Sequence, residues 1–298
     1  MAPDLEQPAG TQIDDEAVRR YFEDPSGTAD PAAMSMMTHE FDLPSKAAEY
    51  RLAREVETIS SWLDDIGESG SVLDVGCGAG AWVEIFAKRF KSVVGIERSP
   101  RMVAAAQERV AHLPNAQVYQ GDGRQDLLEG PFNFIFLGGL MMYMGDADVV
   151  ELLQALKSRL SEGGVIILRE STVRKGVLAL KGEYQVIYRS VNVYRQLCEQ
   201  AGITEVEPRG NSGYASMAIA EEFVGIRRKW LSFLPKESRL LGSLTWAVLR
   251  TAAPVSFWAL PQTLNRLHIA WPKLQNHFFR LRPSSYNPDR QDSIHSSY

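Results

Sequence analysis

Gly76, Gly78 and Gly80 stand at alternate positions directly after the apolar run that begins at Val72, and Asp74 lies two residues before the first of them. A strand feeding three closely spaced glycines lets the backbone turn sharply and lets a ligand approach the main chain with no Cβ in the way. The spacing is GxGxG, not the GxGxxG of dinucleotide sites, and Glu97 closes the next apolar run 17 residues after Gly80. An acid at that place accepts hydrogen bonds from both hydroxyls of a ribose, as in nucleotide-binding α/β folds. Asp74 adds a second carboxylate, welcome to an ammonium group and repulsive to a pyrophosphate; the alternative is that it only bonds the amides of the loop. Cys77 and Cys198 have no partner at zinc-ligand spacing, so neither a metal site nor a disulfide is expected, and both thiols are read as packed.

These groups need a parallel sheet to hold them. Leu52, Val56, Ile59, Leu63 and Ile66 recur at spacings of four and three, which predicts an amphipathic helix over 45–66. Short apolar runs then alternate with helical patterns: strands near 72–75, 93–96, 117–119, 132–137 and 165–168, separated by helices over 81–90, 102–111 and 149–160. That order is the signature of successive βαβ units. Residues 204–206 and 216–220, after a helix ending at Gly202, are expected to add a closing antiparallel pair. The expected fold is therefore α/β: a Rossmann-like, mostly parallel seven-stranded sheet with helices on both faces. Residues 1–66 form an N-terminal arm and cap helix, 67–222 the core, 223–285 a basic, Trp-rich helical extension, and 286–298 a loose tail.

The run VLDVGCGAG followed by VVGIERSP resembles motifs I and II of the class I S-adenosylmethionine-dependent methyltransferases. Gly121-Asp122-Gly123 after the third strand and the turn SEGGVIIL into the fifth continue the resemblance, which spans about residues 45–222. It implies S-adenosylmethionine as cofactor, with S-adenosylhomocysteine as product. It implies that Asp74, Gly76, Gly78 and Gly80 surround the methionine portion and that Glu97 holds the ribose. Arg98, Asp122 and Gly123 would then face the adenine, and Leu137 and Gly138 the sulfonium end.

Methyl transfer from a sulfonium is an in-line displacement on an activated carbon, so positioning supplies most of the catalysis and a base is optional. Residues after the carboxyl ends of parallel strands face the ligand crevice, which selects Tyr143 and Glu170. Glu170 either orients an acceptor or caps the Ser171-Thr172 turn. Tyr143 sits in a Met-rich segment that either walls a substrate or fills the core. His39, in the arm, is the imidazole best placed to deprotonate a hydroxyl, and Arg189 would bind an anionic group of the acceptor or pair with the acidic body. Tyr50 and Arg51 are weaker candidates for the cofactor carboxylate.

With 45% hydrophobic and 23% charged residues, the chain has an ordinary globular composition. From residue 223 onward 11 Lys and Arg stand against 3 Asp and Glu, so the net charge of −5 divides into +8 there and −13 elsewhere. An acidic body disfavours nucleic acid as a partner. The first 20 residues lack a basic start and an apolar run, so a cytoplasmic protein is expected. The longest charge-free stretch of the extension, 251–265, contains two prolines and falls short of the ~20 residues of a membrane span. The reading is a methyltransferase acting on O or N of a small molecule such as a sugar, an amine or a secondary metabolite. Methylation of a macromolecule and a non-catalytic partner or membrane-peripheral role stay open. The extension is expected to be a lid or a homodimer surface with its tryptophans packed against protein, and peripheral membrane contact is the alternative.

Overall fold

The computed structural model describes residues 13–23, 43–181, 185–231, 233–235, 238–267 and 271–283. Two helices come first, α1 (Asp15–Glu23) and α2 (Ser45–Ile66). The core then alternates β1 (Ser71–Val75), α3 (Ala81–Ala87), β2 (Ser92–Glu97), α4 (Pro100–Val110), β3 (Ala116–Gln120) and β4 (Phe132–Gly138). A 3-10 turn (Met141–Tyr143), α5 (Asp146–Lys157), β5 (Leu160–Val173), β6 (Val177–Lys181), β7 (Gln185–Ser190), α6 (Val191–Gln200) and β8 (Glu205–Gly210) follow. The chain continues with α7 (Ser212–Trp230), α8 (Arg239–Thr251), a π-helical turn (Pro254–Ala259), α9 (Leu260–Arg266) and β9 (Gln275–Arg282).

One sheet runs β3-β2-β1-β4-β5-β7-β6, with β9 antiparallel on β5 and β8 antiparallel on β9. Strands β1 to β5 are all parallel. Their apolar runs split by parity, because successive side chains of a strand point to opposite faces. Val72, Phe134, Phe136, Val165 and Ile167 pack under α2, α3 and α4 with Ile59, Trp62, Val83 and Phe86. Leu73, Ile135, Leu137, Ile166 and Leu168 pack under α5 and α6 with Val149, Leu153 and Leu197. Burial on both faces is what makes these strands read as continuous hydrophobic runs.

Among the described residues the sheet has nine strands where seven are expected, and its far edge is built differently. Residues 216–220 lie inside α7, not in a strand. Met217, Ile219 and Ala220 pack with Ala47, Trp246 and Leu249, so their apolar character serves a helix contact. The strand expected of them is supplied by β9, from within the stretch read as an extension, and Phe278, Phe279 and Leu281 are fully buried there. The hairpin of β6 and β7 is also additional: Val177, Leu178 and Leu180 of β6 stay exposed, and β7 buries Val186 and Ile187, too short an apolar run to mark a strand in the sequence.

Candidate active site

A cavity of about 370 Å3 opens at the carboxyl ends of β1, β2 and β4, the place where open parallel sheets hold ligands and a volume within the usual range for small-molecule sites. Its floor is the glycine loop. Gly76, Gly78 and Gly80 all take positive φ, at 71°, 53° and 75°, a region that side chains beyond glycine rarely adopt. The amides of Gly76 and Cys77 both donate to the Ile96 carbonyl, at 2.8 and 3.0 Å, tying the loop to the end of β2.

Glu97 ends β2 facing this loop. Its Oε2 accepts from the Gly78 amide at 3.0 Å and its Oε1 from the Ser99 amide at 2.8 Å. Burial raises its pKa against the pull of those amides. Below the lining lies Asp74, 1% exposed. Its Oδ2 is buried with no hydrogen-bond partner among the described residues, and burial pushes its carboxyl up to about 8. A buried polar atom left unpaired is costly, and no donor among the described residues reaches this one.

At the far side of the loop, Arg98 and Arg124 meet Asp122, at 3.6 and 3.3 Å. Burial alone would raise the Asp122 pKa, but the hydrogen bonds of Arg124 hold it lowered. Gly123 closes this end: a Cβ there would lie 2.5 Å from Val75 Cγ1. Gly123→Ala is therefore expected to force the loop off β1 and cost about 1–3 kcal/mol, the usual penalty of overpacking. Urea unfolding measures it, and an unchanged midpoint would mean that the loop gives way freely.

The opposite end is built around a fully buried carboxylate. Glu55 on α2 accepts from Arg51 Nε at 2.9 Å, Arg169 Nη1 at 3.2 Å and Asn211 Nδ2 at 2.9 Å. Arg169 Nη2 also holds the Gly138 carbonyl at 3.0 Å, fixing the end of β4. Ser171, Tyr188, Tyr214, Glu221 and Asn276 complete this wall. The described part of the arm covers the cavity: Asp15, Val18 and Phe22 of α1 line it. Arg124 Nη1 bonds Asp15 Oδ2 at 3.0 Å, and the Phe22 ring packs edge-on against Tyr143 with centroids 5.4 Å apart.

Of the residues singled out from the sequence, Arg51, Gly76, Gly78, Glu97, Arg98, Asp122, Gly123, Gly138 and Tyr143 line the cavity. Asp74, Gly80 and Leu137 do not line it; Gly80 lies against Ala106, and Leu137 is in the core below α5. His39 lies outside the described residues. Glu170 and Arg189 need correction as site candidates, because neither faces the cavity. The period of two along β5 turns Arg169 and Ser171 toward the cavity and Glu170 away. There Glu170 Oε1 accepts from the Met141 amide at 3.1 Å, and Tyr194 donates to Oε2 at 3.4 Å. Arg189 is fully buried, its guanidinium spent on Asp146 at 2.7 Å and on the carbonyls of Met141 and Met144 at 2.8 and 2.7 Å. Both residues hold the turn that presents Met142 and Tyr143 to the cavity. Glu55 and Arg169, which form a buried set with Arg51, were the main omission. Its trace is the four-residue spacing of Arg51, Glu55 and Ile59 on the buried face of α2.

Comparison with known proteins agrees with this architecture. Residues 72–164 match a family model described as a methyltransferase domain. A 23S rRNA uracil C5-methyltransferase of Haemophilus parainfluenzae is 41% identical over 80 residues, 26% of this chain and 18% of that protein. A phosphoethanolamine N-methyltransferase of Triticum aestivum is 27% identical over 205 residues, 68% of this chain and 38% of that protein. This chain thus spans well under half the length of either relative. Among solved structures, an O-methyltransferase from a polyketide synthase multienzyme of Brevibacillus brevis, in complex with S-adenosylhomocysteine, has the same fold. It superposes with a TM-score of 0.52 at 16% identity, over 85% of this chain and 75% of that one.

Proposed function

We propose that this chain, which belongs to the class I S-adenosylmethionine-dependent methyltransferase family, moves a methyl group from S-adenosylmethionine to a nitrogen or oxygen of a small-molecule acceptor. The observation that carries the reading is the unpartnered, buried Oδ2 of Asp74 beneath a positive-φ glycine loop whose rim carries Glu97. A carboxylate beneath the cavity floor favours a cationic α-amino group above it over a pyrophosphate. The cofactor, when bound, supplies a methyl group on a sulfonium, already activated for displacement.

The protein's own part is binding and alignment. The Glu97 carboxylate accepts the Gly78 and Ser99 amides and, with two lone pairs on each oxygen, keeps acceptor capacity for the ribose hydroxyls. Arg98, Asp122 and Gly123 form the wall for the adenine, and Arg169 fixes the Gly138 carbonyl at the reacting end. Met142, Tyr143, Tyr188 and Tyr214 exclude water from the acceptor side. The Tyr143 hydroxyl is the described group we assign to orient the attacking oxygen or nitrogen of the acceptor by a hydrogen bond. The relative acting on phosphoethanolamine and the O-methyltransferase neighbour support the choice of a small N or O acceptor. Incubation with methyl-labelled donor and a panel of amino and hydroxyl compounds tests it. Label is expected in the small-molecule fraction, and incorporation only into added rRNA or protein contradicts the proposal.

Asp74 also gives the cofactor affinity a pH dependence. With its pKa raised to about 8, Asp74 holds a proton at neutral pH in the empty protein. An ammonium group in the cavity above it stabilises the carboxylate, so binding expels that proton, and a reaction that expels a proton strengthens as pH rises. Affinity for S-adenosylhomocysteine is expected to climb from about pH 6 to about pH 7.5, by at most about tenfold per pH unit. Calorimetry in two buffers of different protonation heat shows the released proton, and Asp74→Asn removes both the release and the slope.

A further inference from the structure

We infer that the helical hairpin of α7 and α8, with the turn that follows it, docks the protein on an anionic membrane surface. Nine of the thirteen exposed large apolar side chains among the described residues fall between 226 and 267. Ile226 and Trp230, one turn apart, face solvent at the end of α7, and Phe233 follows them at 80% exposed. On α8 Leu240, Leu244 and Val248 recur every fourth residue and are all exposed, while Trp246 and Leu249 on its other face are buried against α7. The helix therefore has two apolar faces, of which the fold uses one. An exposed stripe of that size marks an interaction surface, and Trp230, 72% exposed, shows that a lid closed over the core does not account for it.

Charge selects the occupant. The sequence from 223 to 267 has seven Lys or Arg against one acid, Glu237. Lys229, Arg239, Arg250 and Arg266 are exposed within it. A second copy docked through the same face in a two-fold dimer would set this positive surface against itself. Exposed Trp, Phe and Leu interspersed along the chain with exposed basic residues match instead the apolar and anionic layers of a lipid headgroup region. No described helix is long and apolar enough to cross a membrane, so the contact is peripheral. Tyr214 and Glu221, nearer the start of α7, line the cavity. The Trp230 end of that helix is about 24 Å from Tyr214 along its axis at 1.5 Å per residue. Docking would thus hold the cavity close to the lipid surface.

Co-sedimentation of the full chain with phosphatidylcholine vesicles, with and without phosphatidylserine, tests this directly. The protein is expected to pellet with the anionic vesicles at low salt, less at physiological salt because the charges are screened, and little with neutral ones. Trp230 fluorescence should shift to the blue on binding. The double substitution Phe233→Glu, Leu244→Glu is expected to lower vesicle affinity at least about tenfold, and Arg239→Glu at least about fivefold, the weight of one basic residue at an anionic surface. Both change exposed positions, so thermal unfolding and cofactor binding should stay as in the parent protein, which separates this result from the methyl-transfer proposal. Absence of pelleting with anionic vesicles at low salt overturns the inference, as does pelleting that the substitutions leave intact. A dimer in sedimentation velocity that Phe233→Glu, Leu244→Glu dissolves, without vesicle binding by the parent, assigns the face to a second copy instead.

Discussion

Replacing Glu97 by alanine is expected to weaken binding of S-adenosylhomocysteine at least tenfold, by about 1.5–3 kcal/mol, the worth of hydrogen bonds to a charged group. The carboxylate does two things at once. It accepts the Gly78 and Ser99 amides, which fixes the loop, and it presents its remaining lone pairs to the cavity. Glu97→Gln should rescue little, because an amide nitrogen would have to face one of two N–H donors. Fluorescence or calorimetric titration of the folded variants measures this, and parent-like affinity in Glu97→Ala removes the ribose from this position. Asp122→Ala should do less, since Asp122 is already paired with Arg98 and Arg124.

Glu55→Ala is expected to destabilise the fold by about 3–5 kcal/mol, the cost of stranding buried charges. Arg51 and Arg169 have side chains only 4% and 9% exposed, and both lose their carboxylate together with the Asn211 amide. Burial alone would raise the Glu55 pKa, but Arg51 and Arg169 together hold it lowered. A depressed carboxylate contributes stability above its unfolded pKa and loses it as pH falls through its folded one. The parent should therefore lose this contribution only below the ordinary carboxylate range, whereas the variant starts without it. Chemical unfolding at neutral and acid pH checks both points. Asp65→Ala, which breaks the surface pair with Arg280 at 2.6 Å, is the contrast and should cost no more than about 1 kcal/mol. Equal losses in the two variants would show that burial of the Glu55 cluster adds nothing.

How much of this was legible in the sequence follows from burial. Strands β1, β2, β4 and β5 are covered on both faces, and the glycine loop departs from ordinary backbone, so both leave strong local patterns. The edge of the sheet does not. Strand β9 carries Gln275, Asn276, His277 and Arg280 among its aromatics and sits over a hundred residues after its partner β5. Its pairing depends on where the whole chain returns, which no local pattern records. Residues 216–220 show the converse, an apolar run whose helical state is fixed by packing against Ala47 and Trp246. In the site, Glu97, Asp122 and Gly123 were legible because each follows a strand. Glu170 misled because β5 runs on to Val173, which leaves Glu170 inside the strand and turned away from the cavity, and Arg189 because it is buried under the Met-rich turn. The Arg51, Glu55 and Arg169 cluster joins residues 114 positions apart, and only the folded chain brings them together.

The central claim, that the glycine loop, Asp74 and Glu97 form a site for an S-adenosyl amino acid, is tested most directly by calorimetric titration of the folded chain with S-adenosylhomocysteine and, separately, with NAD. The account predicts saturable binding of S-adenosylhomocysteine with release of a proton near neutral pH, and no binding of NAD over the same concentrations. Comparable binding of NAD, or none of S-adenosylhomocysteine, would contradict it.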